Sequence, residues 1–151
     1  MSGLQTNLLE GLAAALESAH VGDYSTGTAY APAASLPAIT LYKMPEGSPK
    51  GPDRVICLSA YPVDDALGAP NSTIGLQVRT RWGGKDPRPV DDLDDAVFGV
   101  LQQFKGTLST GVRVAFCRRV SGVSLGQDEG GRWLRSSNYY VSAYWPTSHR
   151  V

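Results

Sequence analysis

Apolar residues near the start of the chain recur at helical spacing. Leu4, Leu8, Leu12, Ala15 and Ala19 share a face, Leu9 and Leu16 widen it, and Glu10 and Glu17 lie opposite. This predicts an amphipathic helix over 4–19, stopped by Gly22. A Gly-, Ala-, Ser- and Pro-rich stretch follows over 22–38, with Tyr24, Tyr30, Pro32 and Pro37. It reads as loop or extended chain. Ile39 to Tyr42 predicts a short strand, and residues 44–53 a second turn-rich loop. Arg54 to Tyr61 is apolar on both faces and reads as a central strand, followed by a loop over 62–72.

The alternation is clearest from Thr73 to Trp82. Ile74, Leu76, Val78, Thr80 and Trp82 line one face; Gln77, Arg79 and Arg81 line the other. Such a strand has one buried and one polar face. A second helix runs from about Pro87 to Phe104, with Asp86 as N-cap and Pro87 at the first helical position. Its apolar stripe is Val90, Leu93, Val97, Val100, Leu101 and Phe104, and Gly106 ends it. Val112 to Val120 alternates again, setting Val112, Val114 and Phe116 against Arg113, Ala115 and Cys117. A Gly-rich loop is expected over 121–131, then a long strand to Trp145. That strand has Tyr139, Val141, Ala143 and Trp145 on one face and Tyr140, Ser142 and Tyr144 on the other. The order predicts one α+β domain over 1–151, with two main helices packed on a mixed, mostly antiparallel four- to five-stranded sheet.

Composition adds exclusions. With 151 residues, 42% hydrophobic and 19% charged, the chain is globular in kind. Two cysteines do not make a disulfide scaffold, and both lie in apolar strand patterns, where buried free thiols are the plain reading. No stretch is long and apolar enough to span a membrane, and no export signal opens the chain, so no membrane partner and a cytosol-like compartment are expected. Net charge is zero, but residues 1–70 carry seven acids and three bases, and residues 71–151 seven acids and eleven bases. Opposite-signed regions suit self-assembly; uneven loops give the same imbalance.

Catalytic chemistry is thin. His20 ends a helix, His149 lies near the C-terminus, and neither has metal-ligand spacing to a cysteine or to the other histidine. No phosphate-binding glycine motif occurs, and Gly126 to Gly131 has too few acids for a calcium loop. No catalytic residue, cofactor or metal is expected. Asp91, Asp92, Asp94 and Asp95 form the densest charge cluster. They either favour a helix start, where first-turn carboxylates gain about 0.3–1 kcal/mol each, or present an acidic surface to a basic partner. A two-carboxylate catalytic or metal site is the weakest account. Arg79, Arg81 and Arg113 sit on polar strand faces, and Tyr140 and Tyr144 share a face of the last strand. A surplus of aromatics on both faces of that strand points to contacts between subunits. A small nucleic-acid-binding module is an alternative that the arginines keep open.

Several strings are familiar in their order and spacing: Tyr61-Pro62-Val63-Asp64-Asp65, Gly75-Leu76-Gln77-Val78-Arg79-Thr80-Arg81, the helix opening at Pro87 to Phe98, Gly126-Gln127-Asp128, and Arg135 to Tyr140. Together they resemble the minor capsid or tail terminator (tail completion) proteins of long-tailed bacteriophages of actinobacteria. The resemblance implies a structural virion protein without catalysis, at the head-proximal end of the tail and in the host cytoplasm during assembly. It implies a ring, a hexamer in this family. The ring caps the tail tube protein, ends tube polymerisation and meets a head-side connector or stopper protein, while viral DNA passes through the lumen without sequence-specific binding. A head–tail connector or neck ring is the alternative within the same particle. A cyclic ring needs a heterologous patch, one surface meeting a different surface of its neighbour. Asp91, Asp92, Asp94 and Asp95 facing Arg79, Arg81 or Arg113 of an adjacent subunit are the candidate contact; the same helix facing the ring channel is the alternative. The loops at 22–38 and 44–53 are expected to order only against tube or connector proteins.

Overall fold

The computed structural model describes residues 3–24, 35–67 and 69–150. Tyr30, Pro32 and the middle of the 22–38 loop lie outside them. The elements run α1 (Leu4–Ser18), β1 (Ala38–Leu41), β2 (Val55–Asp65), β3 (Asn71–Trp82), α2 (Arg88–Leu101), β4 (Gly106–Thr107), β5 (Arg113–Gln127) and β6 (Trp133–Tyr144). The strands form one curled sheet in the order β1-β2-β3-β6-β5-β4. Only β1 and β2 pair in parallel; β2–β3, β3–β6, β5–β6 and β4–β5 are antiparallel. The sheet is thus mixed and mostly antiparallel, as the patterning predicts, but it has six strands, not four to five. The additional strand is β4, two residues long, too short to leave a periodic trace.

Both helices cover one face of this sheet. Leu8, Leu9, Leu12 and Leu16 of α1 and Leu93, Val97 and Leu101 of α2 pack with Ile56, Leu58, Ile74, Leu76, Val78, Tyr139 and Val141 in one core. Each such fully buried aliphatic side chain contributes about 1.5–3 kcal/mol. The alternating face expected of β3 is this buried face, and Tyr139, Val141 and Ala143 join it from β6. At the start of α2 the Asp86 carboxylate accepts the Arg88 N–H at 3.0 Å, but the N-cap position is Pro87, one residue later than the expected Asp86.

Three departures change how the surface reads. First, β5 bulges between Val114 and Phe116, so two residues oppose one and the alternation changes phase. Cys117 therefore turns into the core, and Phe116, expected with Val114, lies outside and is 46% exposed. Second, the Gly-rich segment 121–127 is not loop but the distal half of β5, paired with β6 as far as Gln127–Trp133. Third, residues 62–65 extend β2, with a second irregularity between Pro62 and Asp64. The two cysteines are free and buried. The pairing register puts Cys57 in line with Arg79 and Cys117 in line with Val141, on opposite faces of the sheet. Burial pushes the Cys117 thiol up to about 12, so it stays protonated and unreactive.

Candidate assembly surface

The face of the sheet away from the helices carries Cys57, Ser59 and Tyr61 of β2, Thr73, Gly75, Gln77, Arg79 and Arg81 of β3, and Asn138, Tyr140, Ser142 and Tyr144 of β6. Arg113, Phe116 and Arg118 of β5 complete it. The registers align them in rows, such as Tyr61–Gly75–Tyr140–Arg118 and Asp64–Thr73–Ser142–Phe116. Arg79, Arg81, Arg113, Tyr140 and Tyr144, picked out from alternation alone, all fall on this one face. The four aspartates of α2 fall on the opposite layer.

The two ends of the open face differ. At one end Arg81 is only 4% exposed. Its guanidinium donates to the carbonyls of Asp53 (3.1 Å), Pro45 (2.7 Å) and Pro52 (2.6 Å). Arg132 donates to the Asp53 carboxylate at 2.6 Å and to the Ser48 carbonyl at 2.8 Å. Burial works against the Asp53 charge, but hydrogen bonds from Arg132 and Ser48 outweigh it and hold the carboxyl below its usual value. The loop over 44–53 is therefore pinned within the chain by Arg81 of β3 and by Arg132, which lies just before β6. This corrects the expectation that it orders only against other proteins. The reason is that Arg81 finds three backbone acceptors that no local pattern announces.

At the other end no described residue of another layer covers the sheet. The Arg113 guanidinium lies over the Tyr144 ring at 5.1 Å, and that of Arg118 over Tyr140 at 5.6 Å. Both arginines are exposed, as are Tyr61, Phe116 and Tyr144. Val63, Asp64, Thr73, Phe116, Arg118, Tyr140 and Ser142 line a shallow groove of about 310 Å³ there. Gly75 leaves room for the Tyr61 ring to lie over the strand, since a Cβ at that position would stand 2.1 Å from the ring and push it aside. Arg79 lies between the two ends, half-buried, donating to the Cys57 sulfur at 3.7 Å.

The acidic cluster of α2 divides in the same way. Asp94 is 1% exposed and points onto the sheet. It accepts from Ser137 Oγ at 2.8 Å and Arg135 Nε at 3.2 Å, and pairs with Arg119 at 3.5 Å. Asp91 pairs with Arg135 at 3.3 Å. These two acids fasten α2 to β5 and β6. Asp92 and Asp95 face away from the sheet and are exposed. Arg119 also lies over Phe98 of α2 at 4.2 Å, so it belongs to the same clamp. Burial, with the Asp94 charge adding to it, pushes the Tyr139 hydroxyl up, and it stays protonated beside the clamp. Asp94 and Arg81 thus serve the chain's own packing; as buried, fully engaged groups they do not stand on its surface, a correction to the expected contact. Arg118 and Phe116 stand out only once the β5 bulge is seen.

No group of three or more His, Cys, Asp or Glu side chains able to hold a metal ion occurs among the described residues. No helix among them is long and apolar enough to cross a membrane.

Residues 15–145 match the family model described as bacteriophage tail terminator protein. The chain belongs to the tail terminator family. Its members are structural proteins of the phage virion, and this chain is a structural virion protein of that kind. A chain solved within the virion of a native gene transfer agent particle shares the fold, at a TM-score of 0.63 and 12% identity, covering 91% of this chain and 95% of that one. No curated protein matches by sequence. The virion context places its working contacts on other structural proteins of the particle.

Proposed function

We propose that this terminator closes into a ring on the head-proximal end of the tail tube. There it ends polymerisation of the tube protein and offers its far side to the head-side connector. What carries the reading is the open end of the sheet in a chain of the terminator family: Arg113, Arg118, Phe116 and Tyr144 stand exposed, beside a half-buried Tyr140, on a face that no other layer covers among the described residues. A bare sheet face with arginine and aromatic side chains has the composition of a protein contact. The ring is a hexamer in this proposal, and DNA passes its lumen without base recognition.

The test has two arms. Solution mass measured with and without purified tail tubes should give a discrete closed oligomer. Electron microscopy of particles assembled without this protein should show overlong tubes lacking heads, and adding the protein should restore tubes of one length. A strict monomer that ignores tube ends would reject the proposal. Attachment to the portal side alone, with tube length unchanged, would favour the neck-ring alternative.

A further inference from the structure

We propose that the bare end of the sheet is covered by the outer face of α2 from a second copy of this chain, with Asp92 and Asp95 of one subunit meeting Arg113 and Arg118 of the next. The inference rests on the ring reading and deepens it by naming the two surfaces that meet.

Charge complementarity selects the occupant. The exposed part of the sheet face has two cation–π arginines over tyrosines and one acid, Asp64, at its rim. The exposed residues of α2 are Arg88, Asp91, Asp92, Asp95, Ala96 and Gly99. Arg88 is already held by Asp86 at 2.8 Å and Asp91 by Arg135. The acids that remain, Asp92 and Asp95, lie three apart on one helix face, beside Ala96 and Gly99. Small residues there let the helix come close to the exposed Phe116 and Tyr144 rings. The two surfaces lie on opposite sides of the same molecule, with the sheet between them. They therefore cannot meet within one chain. Meeting between chains makes a head-to-tail contact, the kind a cyclic assembly repeats. An arginine already stacked on a tyrosine keeps its outward edge free to pair with carboxylates.

The experiment mixes two variants that each add one cysteine, Asp95→Cys and Arg118→Cys, under mild oxidation, since both positions are exposed while Cys57 and Cys117 are buried. The mixture should give a disulfide-linked dimer that neither variant gives alone. A parallel set measures association by mass: Arg118→Asp should weaken it about tenfold or more, and Asp95→Arg combined with Arg118→Asp should restore much of the loss. Unchanged melting of the monomer separates this from misfolding. A ring of normal mass with no mixed crosslink and no effect of the reversals overturns the inference while sparing the ring. A crosslink in Arg118→Cys alone overturns it in favour of a symmetric sheet-to-sheet contact. Reversals that alter only binding to tail tubes overturn it in favour of the tube protein as occupant. Monomers in every condition overturn the ring reading and the inference with it.

Discussion

Arg81 and Arg118 occupy the same face of one sheet and have opposite fates. Both point away from the helices, Arg81 by the alternation of β3 and Arg118 because the β5 bulge shifts the phase of its strand. Arg81 is sealed beneath the 44–53 loop, with three carbonyls around its guanidinium. Arg118 lies over Tyr140 with solvent above it. The difference is a returning segment of chain. One end of the face is closed by the protein's own loop, and the other is left for something else. The aspartates of α2 divide in the same manner: Asp94 is buried on the sheet and Asp91, though exposed, pairs with Arg135, while Asp92 and Asp95 face outward. An outward strand position is therefore not enough to make a residue part of a contact surface; the acceptors already within reach decide.

Breaking the closed side should cost most in stability. Asp94→Ala removes the buried carboxylate shared by Ser137, Arg135 and Arg119 under α2. Arg135 keeps Asp91, but Arg119 and the buried Ser137 hydroxyl lose their partner, so a loss of about 3 kcal/mol is expected in urea unfolding. Asp92→Ala, two residues away and exposed, should change stability by less than about 0.5 kcal/mol. Equal effects of the two would erase the division drawn between them.

Arg81→Ala comes next. Three carbonyls lose a charged donor, and about 2–3 kcal/mol is expected. The sharper readout is local: limited proteolysis should cut within 44–53 in the variant well before the rest of the chain, whereas the parent loop resists. An uncut loop would mean that Arg132 and Asp53 hold it without Arg81.

Acid should loosen the same loop by a smaller amount. The Asp53 carboxyl is held below its usual value in the folded chain, while in the unfolded chain it titrates near 3.9. Its contribution is therefore fully present above that unfolded value. It is lost as pH falls through the lower folded value. Protease resistance of 44–53 should fall as pH drops below about 4, measured with an acid-active protease, and Asp53→Asn should flatten that dependence. A loop equally protected in both proteins would remove Asp53 from the account.

The helices, the buried face of β3 and the two-sided strand β6 are legible in the chain because period and burial agree there. Phe116 is not. The bulge at Ala115 that turns it outward has no glycine or proline to signal it, so strict alternation places it on the wrong face. The distal half of β5 is hidden for the opposite reason, since its glycines imitate a loop. Arg118 is misplaced with Phe116 by the same bulge, and the sealing of Arg81 has no local signal, because the loop that covers it comes from some thirty residues earlier in the sequence. Asp94 is different: it lies four residues after Val90 and three before Val97, on the buried stripe of α2, so its inward position is written in the spacing. Counting four acids as one cluster concealed it.

The open side should answer stability tests with silence and assembly tests with an effect. Arg118→Ala and Arg113→Ala each remove an exposed guanidinium that, among the described residues, lies over a neighbouring tyrosine ring. Exposed pairs of this kind are worth about 0.5–1 kcal/mol, so melting should move little. If the bare sheet end is a contact, the same changes should weaken association by more than they weaken folding, because there the guanidinium would be desolvated and paired. The comparison is read within one protein. Arg81→Ala should lower the melting temperature with monomer and oligomer falling together, whereas Arg118→Ala should shift the oligomer's concentration dependence at constant melting temperature of the monomer. Should Arg118→Ala destabilise the monomer as strongly as Arg81→Ala, the two ends of the face would be equivalent, and the open end would be one more part of the fold.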